Sequence, residues 1–140
     1  MKTVLIVDDS HLILNLLEKK IKHELDVRVI TARNFKEAIK LIDEEEIIHL
    51  AILDLNLPDA KDGQIVDYTI SKNIPSVILT SLINEQLQQI ILQKDIIDYV
   101  IKTDLNSMEY TVTIVNRTLK NYDVNILVVD DSKFQLAVIE

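Results

Sequence analysis

Five short stretches of the chain are apolar almost without interruption: Val4–Val7, Val27–Ile30, Leu50–Leu53, Val77–Leu79 and Tyr99–Ile101. A strand that is apolar on both sides is covered on both faces, and that describes a parallel sheet lying between helices. The segments between these stretches have helical spacing. Ile13, Leu17 and Ile21 step by four, and Asn34 with Glu37 three residues on reads as the cap of a helix that turns Ala38, Ile39 and Ile42 inward. A third helix follows Gly63, and a fourth starts near Asn84 with Leu87, Ile90 and Ile91 inward. The fifth sets Leu105, Met108, Val112, Val115 and Leu119 on one stripe. Strand and helix alternate five times, which predicts an α/β fold with right-handed crossovers.

Composition limits what such a fold can do. A chain of 140 residues that is 48% hydrophobic has the apolar content for one domain with a real core. The formal net charge of -8 argues against nucleic acid or an anionic membrane as the main partner. The absence of cysteine excludes a disulfide framework, a thiolate metal site, an iron–sulfur cluster and a Cys nucleophile. No apolar run approaches the ~20 residues of a membrane helix. The apolar start stops at Asp8-Asp9, too short for a signal peptide, so the expected setting is cytoplasmic. One Gly and two Pro imply short loops with Asp and Asn as turn formers.

Ligands of an open parallel sheet bind outside the carboxyl ends of its strands. The first stretch ends in Asp8-Asp9, the third in Asp54, the fourth in Thr80-Ser81 and the fifth in Lys102, while the second, ending at Thr31, would lie at an edge. One Asp at a strand end is usually a turn residue or a cap, but the same set on separate strands is not explained that way. Three adjacent carboxylates repel one another and invite a hard divalent cation, for which oxygen ligands and retained waters suit Mg²⁺. With that charge screened, one carboxylate can act as a nucleophile toward phosphorus, with Lys and Thr available to the phosphoryl oxygens. His11 follows the acidic pair, but Mg²⁺ disfavours imidazole. His23-Glu24 lacks the second His of a zinc-protease helix, and His49 has no evident partner.

These residues sit in IVDDS at 6–10, LDLNLPDAKDG at 53–63, ILTS at 78–81 and DYVIK at 98–102. Over roughly residues 2–121 the sequence resembles the receiver domain of bacterial two-component response regulators. The resemblance implies a flavodoxin-like, doubly wound five-stranded parallel sheet of order 2-1-3-4-5 with helices on both faces. It implies that Asp54 is the phospho-accepting nucleophile, Asp9 a direct Mg²⁺ ligand, Asp8 a ligand through bound water, and Asn56 the donor of a backbone carbonyl. Thr80 becomes the switch hydroxyl, Lys102 the contact to the phosphoryl group, and Tyr99 the aromatic that moves on activation. The implied partner is a sensor histidine kinase or a phosphotransfer protein, and the implied role a self-phosphorylating switch rather than a turnover enzyme. Two features depart from the family pattern. Asp59-Ala60-Lys61-Asp62 makes the loop before Gly63 one residue longer than is common, and Thr103 stands where Pro usually follows the Lys. Thr103 favours an alternative, a receiver-fold interaction module that works without phosphorylation; the intact acidic set weighs against it. A Mg²⁺ phosphohydrolase would need a second acid two residues past its nucleophile, and Asp8 is followed there by Ser10.

The chain also repeats itself. Leu5, Val7, Asp8, Asp9, Ser10, Leu14 and Glu18 recur as Leu127, Val129, Asp130, Asp131, Ser132, Leu136 and Glu140. This predicts a receiver over 1–122, then a linker and the first strand (Ile126–Val129) and helix start of a second, truncated receiver over 123–140. An effector is then expected beyond residue 140. The apolar tail, with Phe134, Leu136, Val138 and Ile139, points to self-association as a homodimer.

Overall fold

The computed structural model describes residues 1–131, with side chains as far as Tyr122. Five strands, β1 (Lys2–Val7), β2 (Val27–Ala32), β3 (Leu50–Leu53), β4 (Ser76–Thr80) and β5 (Asp98–Ile101), alternate with five helices. The helices are α1 (His11–Glu24), α2 (Phe35–Glu44), α3 (Gln64–Ser71), α4 (Glu85–Leu92) and α5 (Leu105–Asp131). All pairings are parallel, in the order β2-β1-β3-β4-β5. Each apolar stretch read from the sequence falls on a strand.

The period-2 geometry of a strand divides the sheet's side chains between two cores. Leu5, Val7, Ala51, Leu53 and Ile78 pack with Ala38 and Ile42 of α2, Ile65 and Val66 of α3, and Ile91 of α4. Val4, Ile6, Leu50, Ile52, Val77, Leu79 and Val100 pack on the other face with Leu14, Leu17 and Ile21 of α1 and Met108, Val112, Val115 and Leu119 of α5. Asn34 and Asn84 cap α2 and α4, accepting from the backbone N–H of Glu37 and Leu87. Gly63 begins α3 from the left-handed region at φ 76°, where a side chain would be strained.

Some inward positions differ from the periodic reading. The α1 stripe runs through Leu14, and Ile13 flanks it half-buried. Ile90 is 56% exposed and Leu105 61% exposed. Leu105 is the first residue of α5, ahead of the turns that lie on the sheet. Residues 126–129, read from sequence as a strand, lie inside α5 and are helical. A lone strand leaves its N–H and C=O groups unpaired, whereas a helix pairs them within the segment. The remainder of the second-receiver reading, 132–140, lies outside the described residues. No helix among the described residues is long and apolar enough to cross a membrane.

Candidate functional site

The topological switch point lies at β1, whose two neighbours β2 and β3 are reached by the chain in opposite directions. The register pairs Val7 with Leu53, so Asp8 and Asp54 leave the sheet side by side. The ladder runs one residue past each strand: Asp8 N–H donates to Ala32 C=O, Asp54 N–H to Val7 C=O, and Lys102 N–H to Thr80 C=O, all within 3.0 Å. The backbones that carry the site are therefore held by the sheet itself.

Asp8 and Asp54 are buried and Asp9 is exposed, and each places a carboxylate oxygen within 4.8 Å of the other two. Lys102 Nζ lies 2.7 Å from Asp8 Oδ2 and 3.4 Å from Asp54 Oδ2. Among the described residues no peptide bond is cis, and Lys102 reaches both carboxylates with Thr103 following it. Thr80 Oγ1 donates to Asp54 Oδ1 across 2.8 Å, and the backbone N–H of Asn56 reaches the same oxygen at 3.3 Å. Ser10 N–H donates to Asp8 Oδ1 at 2.9 Å while the Ser10 hydroxyl caps α1.

Burial pushes the Asp8 carboxyl above its ordinary value, the Asp54 charge adds to this, and Lys102 and the Ser10 N–H oppose it. Three carboxylates facing one ammonium leave an excess of negative charge in a partly dry rim. Hard oxygen donors in that arrangement fit an oxygen-seeking divalent cation.

The structure thus brings Asp8, Asp9, Asp54, Thr80, Lys102 and the Asn56 backbone to one rim. Tyr99, opposite Ile78 on β5, is half-buried against the core on the α2–α4 side, and burial raises its hydroxyl pKa. His11 and His23 are exposed on α1. His49 is not isolated: its Nδ1 accepts from Thr3 N–H and its carbonyl from the Tyr122 hydroxyl, contacts to which the sequence gives no clue. Asp59 was likewise legible only as a loop residue. Its carboxylate accepts from the N–H groups of Phe35 and Lys36 at the start of α2.

A parallel sheet in this order, with its acidic rim at the β1–β3 switch point, is the CheY-like form of the flavodoxin fold. The family described as "Response regulator receiver domain" matches residues 4–113, and the chain belongs to it. Solved structures agree on the fold. A CheY-like receiver domain protein from Methanospirillum hungatei JF-1 superposes with a TM-score of 0.74 at 21% identity, covering 88% of this chain and 98% of that one. The signal receiver domain of a putative Luxo repressor protein from Vibrio parahaemolyticus gives 0.77 at 26% identity, covering 91% and 96%. A DrrB receiver domain described as BeF3-activated gives 0.70 at 24% identity, covering 86% and 98%. A comparison with curated proteins finds no match.

Proposed function

We propose that this receiver accepts a phosphoryl group on Asp54 from the phosphohistidine of a sensor histidine kinase or phosphotransfer protein, and that the phosphorylated form switches a downstream output. The observation that carries this reading is the set of partners around Asp54. The carboxylate is buried, it is bonded to Thr80 and approached by Lys102, and two further carboxylates stand beside it. A carboxylate oxygen of Asp54 attacks phosphorus, the P–N bond to the donor imidazole breaks, and the imidazole leaves with the bonding pair and takes up a proton. Asp9, Asp54 and the Asn56 carbonyl would hold Mg²⁺, with Asp8 acting through water; when bound, the ion supplies positive charge to the phosphoryl oxygens. Lys102 Nζ would turn from the carboxylates to the phosphoryl oxygens, and it orients the group as it does so.

Thr80 and Tyr99 carry the response. Thr80 Oγ1 exchanges its bond to Asp54 for one to the phosphoryl group, and Tyr99 moves inward beside it. This reshapes the face formed by α4, β5 and α5. A few kcal/mol of differential stabilisation is enough for such a switch. The domain would act as a cytoplasmic switch rather than a turnover enzyme. The sequence repeat at 126–140 supports the start of a second receiver after this one, with 126–129 helical in α5 rather than a strand.

Incubation with Mg²⁺ and acetyl phosphate, followed by mapping of the modified residue, tests the reading. The expected result is one phosphoryl group on Asp54, lost in Asp54→Ala. Labelling that survives Asp54→Ala overturns the assignment, and no labelling of the wild-type chain favours the phosphorylation-independent module.

A further inference from the structure

Between Asp54 and Gly63 the chain makes a tight reversal. Ala60 N–H donates to Leu57 C=O at 3.2 Å, and the side chains of Leu57 and Ala60 are buried in the core. Pro58 and Asp59 form the exposed tip. Apolar burial holds this reversal against the sheet, but such contacts are non-directional. The directional tie between this loop and α2 comes from Asp59. Its Oδ1 accepts from Phe35 N–H at 2.8 Å and its Oδ2 from Lys36 N–H at 3.0 Å, joining the loop to the start of α2 across 24 and 23 residues of sequence. Those N–H groups have no partner within the helix, and the N–H of Glu37 is already taken by the Asn34 side chain at 2.8 Å. A carboxylate at the positive end of α2 suits both its charge and its unpaired donors. Asn56 lies between the sheet end at Asp54 and this tethered turn.

We infer that Asp59 is a positioning residue: by clamping the β3–α3 loop to the start of α2, it sets where the Asn56 carbonyl stands for the divalent cation beside Asp9 and Asp54. This inference rests on the reading of the rim as a Mg²⁺-dependent phosphorylation site. Asp59 itself touches neither cation nor phosphoryl group. Its effect passes through the backbone of the loop, so its loss weakens cation binding without removing a ligand.

The test is a Mg²⁺ titration of the full chain followed by amide NMR shifts, which report both folding and binding. Wild type, Asp59→Ala, Asp59→Asn and Asn34→Ala are compared. Outer partners of metal ligands typically change affinity by about 10–100-fold, and Asp59 acts one step further out, so Asp59→Ala should weaken Mg²⁺ binding by about 3–10-fold. Asp59→Asn, which keeps one acceptor, should fall between. Asn34→Ala removes the α2 cap without touching the loop and should bind Mg²⁺ as wild type does. Wild-type affinity in folded Asp59→Ala overturns the inference, as does an equal loss in Asn34→Ala, which would mark a general loosening of α2. If Asp59→Ala does not fold, Asp59→Asn decides alone: an affinity reduced at least twofold supports the clamp and an unchanged one overturns it. A wild-type chain that binds no Mg²⁺ overturns the site reading together with the clamp. Wild-type binding with unaltered Asp59 variants overturns the clamp alone.

Discussion

The Thr80 hydroxyl donates to Oδ1 of Asp54 across 2.8 Å, with both side chains buried at the rim of the sheet. The same hydroxyl oxygen accepts from Leu82 N–H at 3.1 Å, so one side chain couples the acidic cluster to the β4–α4 loop. Thr80→Val keeps the shape and removes both bonds. It should lower unfolding stability by about 1–3 kcal/mol, the cost of leaving buried polar groups unpaired, read from urea midpoints. Asp54 in this variant should still accept a phosphoryl group, while the amide shifts of the loop from Leu82 onward should no longer respond to it.

Asp8 gives a pH dependence whose sign follows from its burial. Its carboxyl is held above the ordinary value of 3.8, so between 3.8 and the raised value the native state carries more protons than the unfolded chain. Stability therefore falls as pH rises through that window. Asp8→Asn lacks this slope. Without added metal it should be more stable than wild type at pH 7, and the two should converge as pH approaches 4. Added Mg²⁺ should reverse the order, because an ion bound by the native state stabilises the chain that holds it more tightly. Urea unfolding at several pH values, with and without Mg²⁺, checks both statements.

His49 predicts the opposite slope in another range. Burial, followed by the charges of Lys2 and the N-terminal amine, holds its imidazole below the ordinary value of 6.5. From the lowered value up to 6.5 the unfolded chain binds more protons, so stability rises with pH and is lost on acidification through that interval. The carbonyl of His49 accepts from the Tyr122 hydroxyl at 2.6 Å and its Nδ1 from Thr3 N–H at 3.0 Å, so acidification should loosen α5 around Tyr122 together with the starts of β1 and β3. His49→Asn, which retains an acceptor, should show a shallower slope as pH falls below 6.5. Amide exchange at Thr3 in both proteins reports the local opening.

We propose from its apolar sequence that the segment Ile126–Val129 promotes self-association. The chain through residue 140 should form dimers at high concentration, and one ending at Tyr122 should remain a monomer. Molar mass in solution distinguishes the two, and equal monomer masses would exclude association through the tail.

The strands and the acidic rim were legible because each depends on a local signal. A strand covered on both faces is written as an uninterrupted apolar run, and the residue that ends such a run faces the ligand side of the sheet. Asp8, Asp54, Thr80 and Lys102 needed no more than that. Asp59 and His49 left no such trace, because their partners stand 24 and 46 residues away and follow no period. Leu105 and Ile90 misled for a related reason: helical spacing gives the face of a helix but not the point at which that face meets the sheet. Residues 126–129 have the composition of a strand but lie within α5, where composition alone does not decide between strand and helix.

The main-chain bonds that carry the ladder past β1, β3 and β5 involve no side chain of the rim. Asp8, Asp54 and Lys102 can each be exchanged while their peptide groups stay in register with Ala32, Val7 and Thr80. Chemistry and scaffold are thereby heritable apart. A lineage can lose a carboxylate or the ammonium of the rim in one mutational step and still pass on the sheet that carried it.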